Sequence, residues 1–345
     1  MSMNRRDVLR SFAAGTACGV LAPMALARFV PQPVGTGEPV TDFLLWKAAG
    51  KGAFVGVGSG GNSTLLMGTD VGVLIDCKNA PYGECLRREA TKRCKKIQMV
   101  INTHHHGDHT GGNHAFSSDI EIVAQDNCTP RVLGQMNRYL SQMKEAANQL
   151  KEGTGPVIEQ VRSEALALYK RCEKLEAINF APKTTFSATR EVSLPGLKAT
   201  LHHLGAGHTD NDIVIHVHDL NLLVCGDLLF HKMHPFVDKE SGANTRAWQS
   251  ALRKCLDLCN ATTIVVPGHG DLTDATALKA QIAYFDTVRD FVAAAIKDGK
   301  SRSDVASMAL PKFGDYGLRQ MSSSGLMTVF DELKAEAQAP AEPSK

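Results

Sequence analysis

The sequence predicts an α+β fold in which two β-sheets pack between layers of helices. Two observations support this prediction. The chain has two β-rich halves, each closed by helices, and ligand-type polar residues follow several apolar strands at the point where each strand ends. The 345 residues are enough to bury a sizeable core. A hydrophobic content of 43% and a charged content of 21% are typical of a soluble globular protein. We expect the main domain to occupy residues 41–300.

The first 27 residues are typical of an export signal. The segment "NRRDVLR" places paired arginines before the mildly apolar run "SFAAGTACGVLAPMALA", which ends in the small-x-small cleavage site Ala25-Leu26-Ala27. This run is too short and too rich in Gly and Ala for a stable membrane anchor, and no later segment predicts a membrane span. An amphipathic N-terminal helix is the alternative interpretation. A twin-arginine signal over residues 1–27 predicts the export machinery as a partner and a periplasmic location.

The first half of the mature chain alternates short strands with turns. A Pro/Gly-rich linker over residues 28–40 precedes the β-like runs "AFVGVG", "NSTLLMG" and "VGVLIDC". A helix is predicted over Tyr82–Cys94, followed by the strands "IQMVIN" and "EIVAQ". Residues 129–179 then have the amphipathic periodicity of two helices, which predicts an inserted helical pair that either shapes a site or only covers the sheet.

The second half repeats the β-rich pattern. The runs "REVSLPG", "LKATLHHLG", "DIVIHVHD", "NLLVCGDLLF" and "TTIVVPGHG" are typical of strands. Helices are predicted over Thr245–Cys259 and from about Asp274 to Lys297. A C-terminal helical extension is predicted over residues 301–335, and the low-complexity composition of residues 336–345 predicts a disordered tail.

The segment "NTHHHGDHTGG" concentrates metal ligands directly behind an apolar strand. If side chains continue to alternate after the strand, His104 and His106 point the same way and His105 points elsewhere. The glycine that follows lets the backbone bend, so that Asp108 and His109 can reach a neighbouring point. Imidazole nitrogens and carboxylate oxygens suit zinc and comparable divalent ions. The crowding therefore predicts two adjacent metal sites.

A dinuclear site needs further ligands, and three candidates occupy equivalent places later in the chain. His208 lies in "GAGHTDND", Asp227 in "CGDLLF" and His269 in "VVPGHG". Each follows an apolar strand and a glycine, which is how loops from several strands converge at one edge of a sheet. We expect these three side chains to complete the site.

The four motifs together resemble one known family. His-x-His-x-Asp-His, Gly-His-Thr, Gly-Asp and Pro-Gly-His-Gly, in this order and each after a strand, are similar to the metallo-β-lactamase-fold superfamily from about Phe43 to Phe291. The resemblance implies a four-layer αβ/βα sandwich with two divalent metal ions at one edge between the sheets. Zinc is the first choice, with iron and manganese as alternatives. The implied ligands are His104, His106 and His208 for the first metal, Asp108, His109 and His269 for the second, and Asp227 as the bridging carboxylate of glyoxalase-II-like members.

The resemblance also implies the chemistry and the substrate contacts. We expect an exported hydrolase in which a metal-bridging hydroxide attacks the carbonyl of a small-molecule ester, lactone, thioester or amide. Asp108 is the expected catalytic residue, because it would orient the nucleophile. The segment "FHKMHPF" corresponds to a part of the family that lines the substrate pocket, so that His231, Lys232 and His234 are candidate substrate contacts.

The sequence is also compatible with several alternatives. A class B-like β-lactamase with a role in antibiotic catabolism would suit export, but Phe230 stands where the cysteine-bearing lactamases place a substrate-gripping lysine. A non-catalytic metal-binding protein and a redox diiron enzyme are less favoured. Removing residues 1–27 leaves 35 basic and 35 acidic residues, and this zero net charge argues against a nucleic-acid partner. The eight cysteines beyond the signal are interpreted as buried apolar residues.

Overall fold

The computed structural model describes residues 44–149, 170, 172–194 and 196–338. The predicted export signal and linker, and most of the second helix of the predicted insertion, lie outside the described residues. The chain divides into two compact units, one comprising residues up to Ser187 with Ser193–Leu197, and the other Ala188–Val192 with residues from Lys198 onward.

The first unit contains a seven-stranded sheet whose strands follow one another in sequence order. The strands are β1 (Leu45–Ala48), β2 (Ala53–Val57), β3 (Ser63–Met67), β4 (Val71–Ile75), β5 (Lys96–Ile101), β6 (Glu121–Gln125) and β7 (Thr184–Phe186). Strands β1 to β4 pair antiparallel, whereas β4 to β7 pair parallel. The side chains of β4 and of the second half of β5 are almost all buried, as the apolar runs of parallel strands require. Parallel pairing brings the ends of β4 and β5 to the same edge of the sheet.

Three helices accompany this sheet among the described residues. They are α1 (Gly83–Thr91), α2 (Gly107–Thr110) and α3 (Cys128–Gln149). Leu86 on α1 packs in one apolar cluster with Leu65, Leu74 and Val100 of the sheet. Helix α3 places Val132 in a second cluster. The first helix of the predicted insertion is thus present as α3.

The second unit contains a five-stranded sheet in the order β12-β11-β10-β9-β8. Its strands are β8 (Thr189–Leu194), β9 (Leu197–His202), β10 (Val214–Val217), β11 (Leu222–Phe230) and β12 (Ile264–His269). Strands β9, β10 and β11 pair antiparallel, whereas β11 and β12 are parallel. Gly226 opposes Pro267 and Phe230 opposes His269, so that three residues of β11 face one residue of β12. This irregularity is a bulge, a feature that re-aims side chains beside functional sites.

Four helices accompany the second sheet in the described part of the chain. They are α4 (Thr245–Asp257), α5 (Ala275–Lys297), α6 (Arg302–Ala306) and α7 (Gln320–Gln338). The Asn244 side chain caps α4 by accepting hydrogen bonds from two backbone amides, and Asp274 caps α5. Trp248 on α4 is fully buried and packs on Phe285 of α5, and its indole N–H donates to the Leu228 carbonyl at 2.9 Å.

The last helix extends further than the sequence predicts. Helix α7 continues to Gln338, three residues into the segment 336–345 that was expected to be disordered. Arg289 of α5, which is buried, donates to Glu332 at 2.8 Å and to Glu336 at 2.6 Å. The composition of the tail does not predict these ion pairs, because Arg289 lies more than forty residues upstream of its glutamate partners.

The predicted fold class is confirmed, with two sheets and flanking helices. All strands of the two halves that the sequence predicts are present, and β1 and β7 are additional. Across the described ranges all eight cysteines are free thiols, seven of them buried and Cys259 partly buried. No described helix has the length and apolar character to cross a membrane.

Candidate metal centre

The histidine-rich motif occupies the end of β5 and the short helix that follows. The ligand atoms of His104 and His106 lie within 4.8 Å of each other. His106 has extended backbone at the N-terminus of α2, so that the chain turns there and brings Asp108 and His109 onto the helix. The Asp108 Oδ2 and His109 Nε2 atoms are 3.8 Å apart. Of these four side chains, only His106 is partly exposed.

Asp76, directly after β4, holds this motif in position through hydrogen bonds. Its Oδ1 accepts the Thr103 backbone N–H at 2.8 Å, and its Oδ2 accepts the Thr103 hydroxyl at 2.7 Å. The same Oδ2 lies 2.8 Å from Nδ1 of His109. The carboxylate is 2% exposed and therefore depends on these three donors. Asp76 thus fixes both the backbone that precedes His104 and the ring of His109.

These hydrogen bonds define the tautomers of two histidines. A carboxylate accepts, so His109 carries its proton on Nδ1. The Thr103 hydroxyl gives its single proton to Asp76, and it can therefore only accept from Nδ1 of His104, which lies 3.1 Å away. In both rings the lone pair is then on Nε2, the arrangement in which a metal-ligating histidine donates its other ring N–H to an oxygen.

A glycine-rich loop between β2 and β3 packs directly against the motif. The Gly61 N–H donates to the Asp108 carbonyl at 3.1 Å. A Cβ atom on Gly61 would lie 2.2 Å from the His109 ring, and one on Gly60 would lie 2.8 Å from the Asp108 carbonyl oxygen. Only glycine permits this close approach.

The buried Lys78 holds that loop in place. Its ammonium donates to the Gly61 carbonyl at 2.6 Å and to the Gly56 carbonyl, and its side chain is fully buried. Burial lowers the pKa of Lys78 from 10.5 to about 7, although the nearby carboxylates of Asp76 and Asp108 favour the charged form.

In the second unit, Asp227 lies between two imidazoles. Its Oδ2 is 3.4 Å from Nε2 of His208, and its Oδ1 is 3.4 Å from Nε2 of His269. Asp227 lies in the bulge of β11, directly after Gly226, whose φ of 51° is left-handed. A Cβ atom on Gly268 of β12 would lie 2.0 Å from Asp227 Oδ1, so the close packing of the two strands requires glycine there.

The loop that carries His208 is fixed by its surroundings. His208 Nδ1 lies 2.7 Å from the Phe236 carbonyl, which can only accept, so that the Nε2 lone pair again faces the ligand side. The ring packs against Trp248 at 5.4 Å. Asp212 accepts the Thr209 N–H at 2.8 Å and its hydroxyl at 2.7 Å, and burial raises the pKa of Asp212 to about 8.

The candidate substrate residues have different environments. His231 Nδ1 lies 2.8 Å from the Asp271 carbonyl, and Lys232 is exposed with a left-handed φ of 55°. His234 is buried, with Nδ1 2.9 Å from the Tyr284 hydroxyl, and burial lowers the pKa of its ring. His105 lies 3.2 Å from the Gln135 side chain of α3.

Each unit therefore carries a set of nitrogen and oxygen donors that suits a divalent metal ion. The first unit groups His104 with His106 and Asp108 with His109, and the second groups Asp227 with His208 and His269. The donor chemistry fits because three of these imidazoles present Nε2 as the lone-pair atom. The sequence interpretation missed Asp76, Thr103 and Lys78. For Asp76 a signal was available, since it follows an apolar strand as the proposed ligands do.

Comparison with known proteins identifies the family. The model of the metallo-beta-lactamase superfamily matches residues 56–124 and 142–269. The chain is 26% identical over 190 residues to the probable metallo-hydrolase YqjP of Bacillus subtilis, which covers 53% of this chain and 57% of that protein. It is 32% identical over 90 residues to the metallo-beta-lactamase type 2 of Bacteroides fragilis, which covers 26% of this chain and 36% of that protein. The chain thus spans little more than half of the first relative and about a third of the second.

Solved structures show the same fold. A metallo-beta-lactamase from Pontibacter korlensis matches with a TM-score of 0.51 at 16% identity, covering 70% of this chain and 99% of that one. The DIM-1 metallo-beta-lactamase matches with a TM-score of 0.51 at 17% identity, covering 71% and 98%. The family match runs through both donor sets, and this chain belongs to the metallo-beta-lactamase superfamily.

Proposed function

We propose that the protein is an exported binuclear metal-dependent hydrolase that acts on a carbonyl substrate of the ester, lactone, thioester or amide class. The observation that carries this proposal is the position of Asp227, whose two carboxylate oxygens face the Nε2 atoms of His208 and His269 at 3.4 Å each. A carboxylate with an imidazole at each oxygen is suited to bridge two cations. Membership of the superfamily supports the same conclusion.

The residues that would hold the two ions are His104, His106, Asp108, His109, His208, Asp227 and His269. When bound, two divalent ions polarise a carbonyl and lower the pKa of water from 15.7 to about 7. Zinc is the first choice for a site with this many imidazoles, and iron and manganese accept the same donors.

The residues of the chain supply orientation and proton acceptance. The Asp108 carboxylate would accept a hydrogen bond from the attacking water and so fix the direction of its lone pair. Asp76 keeps the proton of His109 on Nδ1, and the Thr103 hydroxyl does the same for His104. The buried positions of Asp76 and Thr103 keep these partners from being exchanged for water.

Metal stoichiometry tests the binuclear site. We expect the purified mature protein to retain two divalent ions per chain by elemental analysis after gel filtration. Asp227→Asn should retain about one or fewer, because the amide presents only one ligand oxygen. Asp257→Asn, an exposed aspartate at the end of α4, is the matched control and should retain two. Retention of fewer than two ions by the wild-type protein would contradict the proposal.

A substrate panel tests the reaction class. Lactones, thioesters, aryl esters and nitrocefin should be offered to the wild-type protein and to Asp108→Ala. We expect turnover of at least one carbonyl substrate and a loss of several orders of magnitude in kcat for Asp108→Ala. A wild-type kcat in Asp108→Ala would contradict the catalytic role proposed for Asp108. Because Asp108 is also a proposed ligand, metal content must be measured on the same samples.

β-Lactam hydrolysis is the second candidate activity. Its support is the 32% identity over 90 residues to the Bacteroides fragilis protein, which is named a metallo-beta-lactamase. Against it, the buried Phe230 occupies the place where a substrate-binding lysine is expected. Nitrocefin turnover at least as efficient as that of the best ester or lactone would favour this activity.

Export is proposed from the N-terminal residues alone. We expect the protein to accumulate in the periplasm with a mature N-terminus at Arg28. Replacing Arg5 and Arg6 together by lysine should leave the precursor in the cytoplasm. Cell fractionation with N-terminal sequencing would detect either result, and a cytoplasmic wild-type protein would contradict the proposal.

A further inference from the structure

A cavity of about 170 Å³ lies entirely within the second unit. One wall is formed by residues after the end of β11, a second by α5, and a third by the segment before α7. Its aromatic and aliphatic lining includes Phe230, Met233, Ala277, Ala280, Tyr284 and Tyr316. The polar residues His231, Lys232, Thr276 and Gln281 also line the cavity, so that it joins an apolar surface to two of the candidate substrate contacts.

The cavity adjoins the donor set of the second unit through one shared ring. Phe230 lines the cavity and stacks on His269, with the ring centroids 5.2 Å apart and an interplanar angle of 17°. Its ring is also 5.6 Å from that of His208. A group in the cavity would therefore lie one aromatic ring away from two proposed metal ligands.

Two stacked tyrosines form another part of the wall. Tyr284 and Tyr316 stack with centroids 5.9 Å apart and an interplanar angle of 10°. The Tyr284 hydroxyl lies 2.9 Å from Nδ1 of the buried His234. The polar end of the tyrosine therefore has a partner, and its ring is left as an apolar surface.

The C-terminal segment fixes the first wall. The Gly317 N–H donates to the Lys232 carbonyl at 3.0 Å, and the His234 N–H donates to the Gly317 carbonyl at 2.9 Å. Lys232 has a left-handed φ of 55°, a strained conformation for a residue with a side chain. Strain of this kind persists only where the surrounding contacts hold it, and it is concentrated at ligand-binding segments.

Size and charge restrict what can enter. A cavity of about 150 Å³ lined by aliphatic and aromatic groups holds one benzene molecule, so a volume of about 170 Å³ accepts one phenyl ring or a chain of about six carbons. None of the described lining residues carries a carboxylate, so nothing in the cavity favours a cationic group. Lys232 is the one lysine or arginine in the lining, and its side chain is exposed.

We propose that this cavity is a binding subsite for a neutral phenyl or short alkyl group. This inference rests on the proposed hydrolase function. The bound group is then the acyl side chain of the substrate, and the expected substrates are esters or thioesters of small aryl-substituted or medium-chain acids. Acyl chains longer than about six carbons exceed the volume of about 170 Å³ and are disfavoured.

Direct binding of a small neutral aromatic probe tests the subsite without reference to catalysis. The probe is 4-fluorotoluene, followed by ¹⁹F NMR on the full-length mature protein. Ala280→Phe adds a ring at the exposed rim of the cavity on α5, whereas Ala283→Phe adds the same ring to an exposed position on the same helix that does not line the cavity. We expect saturable binding to the wild type and to Ala283→Phe. In Ala280→Phe we expect the Kd to rise at least about tenfold, as loss of a buried ring predicts.

The thioester arm identifies the bound group as an acyl chain. The acetyl, phenylacetyl and dodecanoyl thioesters of 2-mercaptoethanol are compared by thiol release. The wild type should prefer the phenylacetyl thioester by kcat/KM. In Ala280→Phe the ratio of kcat/KM for the phenylacetyl thioester to that for the acetyl thioester should fall at least about tenfold, whereas Ala283→Phe should keep the wild-type ratio. Equal probe binding by all three proteins, or no binding to the wild type, overturns the subsite. A preference for the dodecanoyl thioester overturns the narrowed substrate class. Saturable probe binding without turnover of any thioester or ester contradicts the proposed hydrolase function and leaves the binding subsite standing.

Discussion

Nδ1 of His109 on α2 lies 2.8 Å from Oδ2 of Asp76, which directly follows β4, and both side chains are buried. Through this contact a residue that touches no proposed substrate sets the protonation state of a proposed metal ligand. The same carboxylate accepts the Thr103 hydroxyl and so reaches His104. One side chain therefore controls the tautomer of a ligand assigned to each metal.

Replacing Asp76 by asparagine should weaken metal binding without unfolding the protein. The amide can present its NH₂ group to His109 Nδ1, which would move the ring proton to Nε2 and cover the lone pair. Loss of such a partner lowers metal affinity by about 10- to 100-fold. Competition with a fluorescent chelator measures the affinity. Asp70→Asn, in an exposed turn, is the control and should bind metal as the wild type does. An Asp76→Asn variant with wild-type affinity would contradict the tautomer argument.

A methyl group on Gly61 should disturb the site, although alanine is otherwise a mild substitution. Its Cβ atom would lie 2.2 Å from the His109 ring, so that the ring or the loop must move. Overpacking of this kind costs about 1–3 kcal/mol, and we expect reduced metal content with it. Gly134→Ala on α3 meets no atom within 4 Å and should instead stabilise the helix by about 0.5–1 kcal/mol. Thermal melting with metal analysis measures both. A Gly61→Ala variant that matches the wild type would show that the loop is mobile.

Lys78 should give the metal-free protein a characteristic pH dependence. Burial lowers the pKa of Lys78 to about 7 in the folded chain, against 10.5 in the unfolded chain. Below about pH 7 both states hold the proton. Between about pH 7 and 10.5 only the unfolded state holds it, so that the free energy of unfolding should rise with pH across this window.

Chemical denaturation at several pH values, with a chelator present, measures this effect. In Lys78→Met the rise should be absent, whereas it should persist in Lys51→Met, where the lysine is exposed. Identical pH profiles for the wild type and Lys78→Met would mean that the folded state keeps the lysine charged throughout.

The ion pairs of Arg289 should be among the strongest contributions to the stability of the second unit. Its guanidinium, 6% exposed, donates to Glu332 and Glu336, and also to the Thr245 hydroxyl at 2.8 Å. Arg289→Met leaves the Glu332 carboxylate buried without this partner and should cost about 3–5 kcal/mol. Arg246→Met breaks an exposed pair with Glu336 and should cost less than about 1 kcal/mol. Urea unfolding distinguishes the two, and equal losses would contradict the assignment.

The parts of the fold that follow local rules could be predicted from the sequence. Alternation and β-branched content identify β2 to β6 and β8 to β12, because each of these strands has an apolar face that depends on its own residues. The proposed ligands could also be predicted from local sequence, because their residue types and their positions directly after apolar strands are visible there. Strand β7 is only three residues long, with no fully buried side chain, and it left no such pattern.

The parts that depend on distant contacts could not be predicted. Lys78 is a charged residue in a turn-like segment, and only the folded loop places two carbonyls at its ammonium. The end of α7 depends in the same way on Arg289. The cavity beside Phe230 requires three segments that are distant in sequence. Its existence follows from how α5 and the residues before α7 are placed around the end of β11.

The bulge in β11 constrains how this protein can diverge. Between Gly226 and Phe230, β11 has two more residues than the facing segment of β12, and this bulge sets the direction of the Asp227 side chain. Replacing one buried apolar side chain of β11 or β12 by another changes only the packed volume. Inserting or deleting a single residue between Gly226 and Phe230 would instead turn the Asp227 carboxylate toward the opposite face of the sheet. We therefore expect natural variants to differ in the side chains around the bulge and to keep the number of residues between Gly226 and Phe230 unchanged.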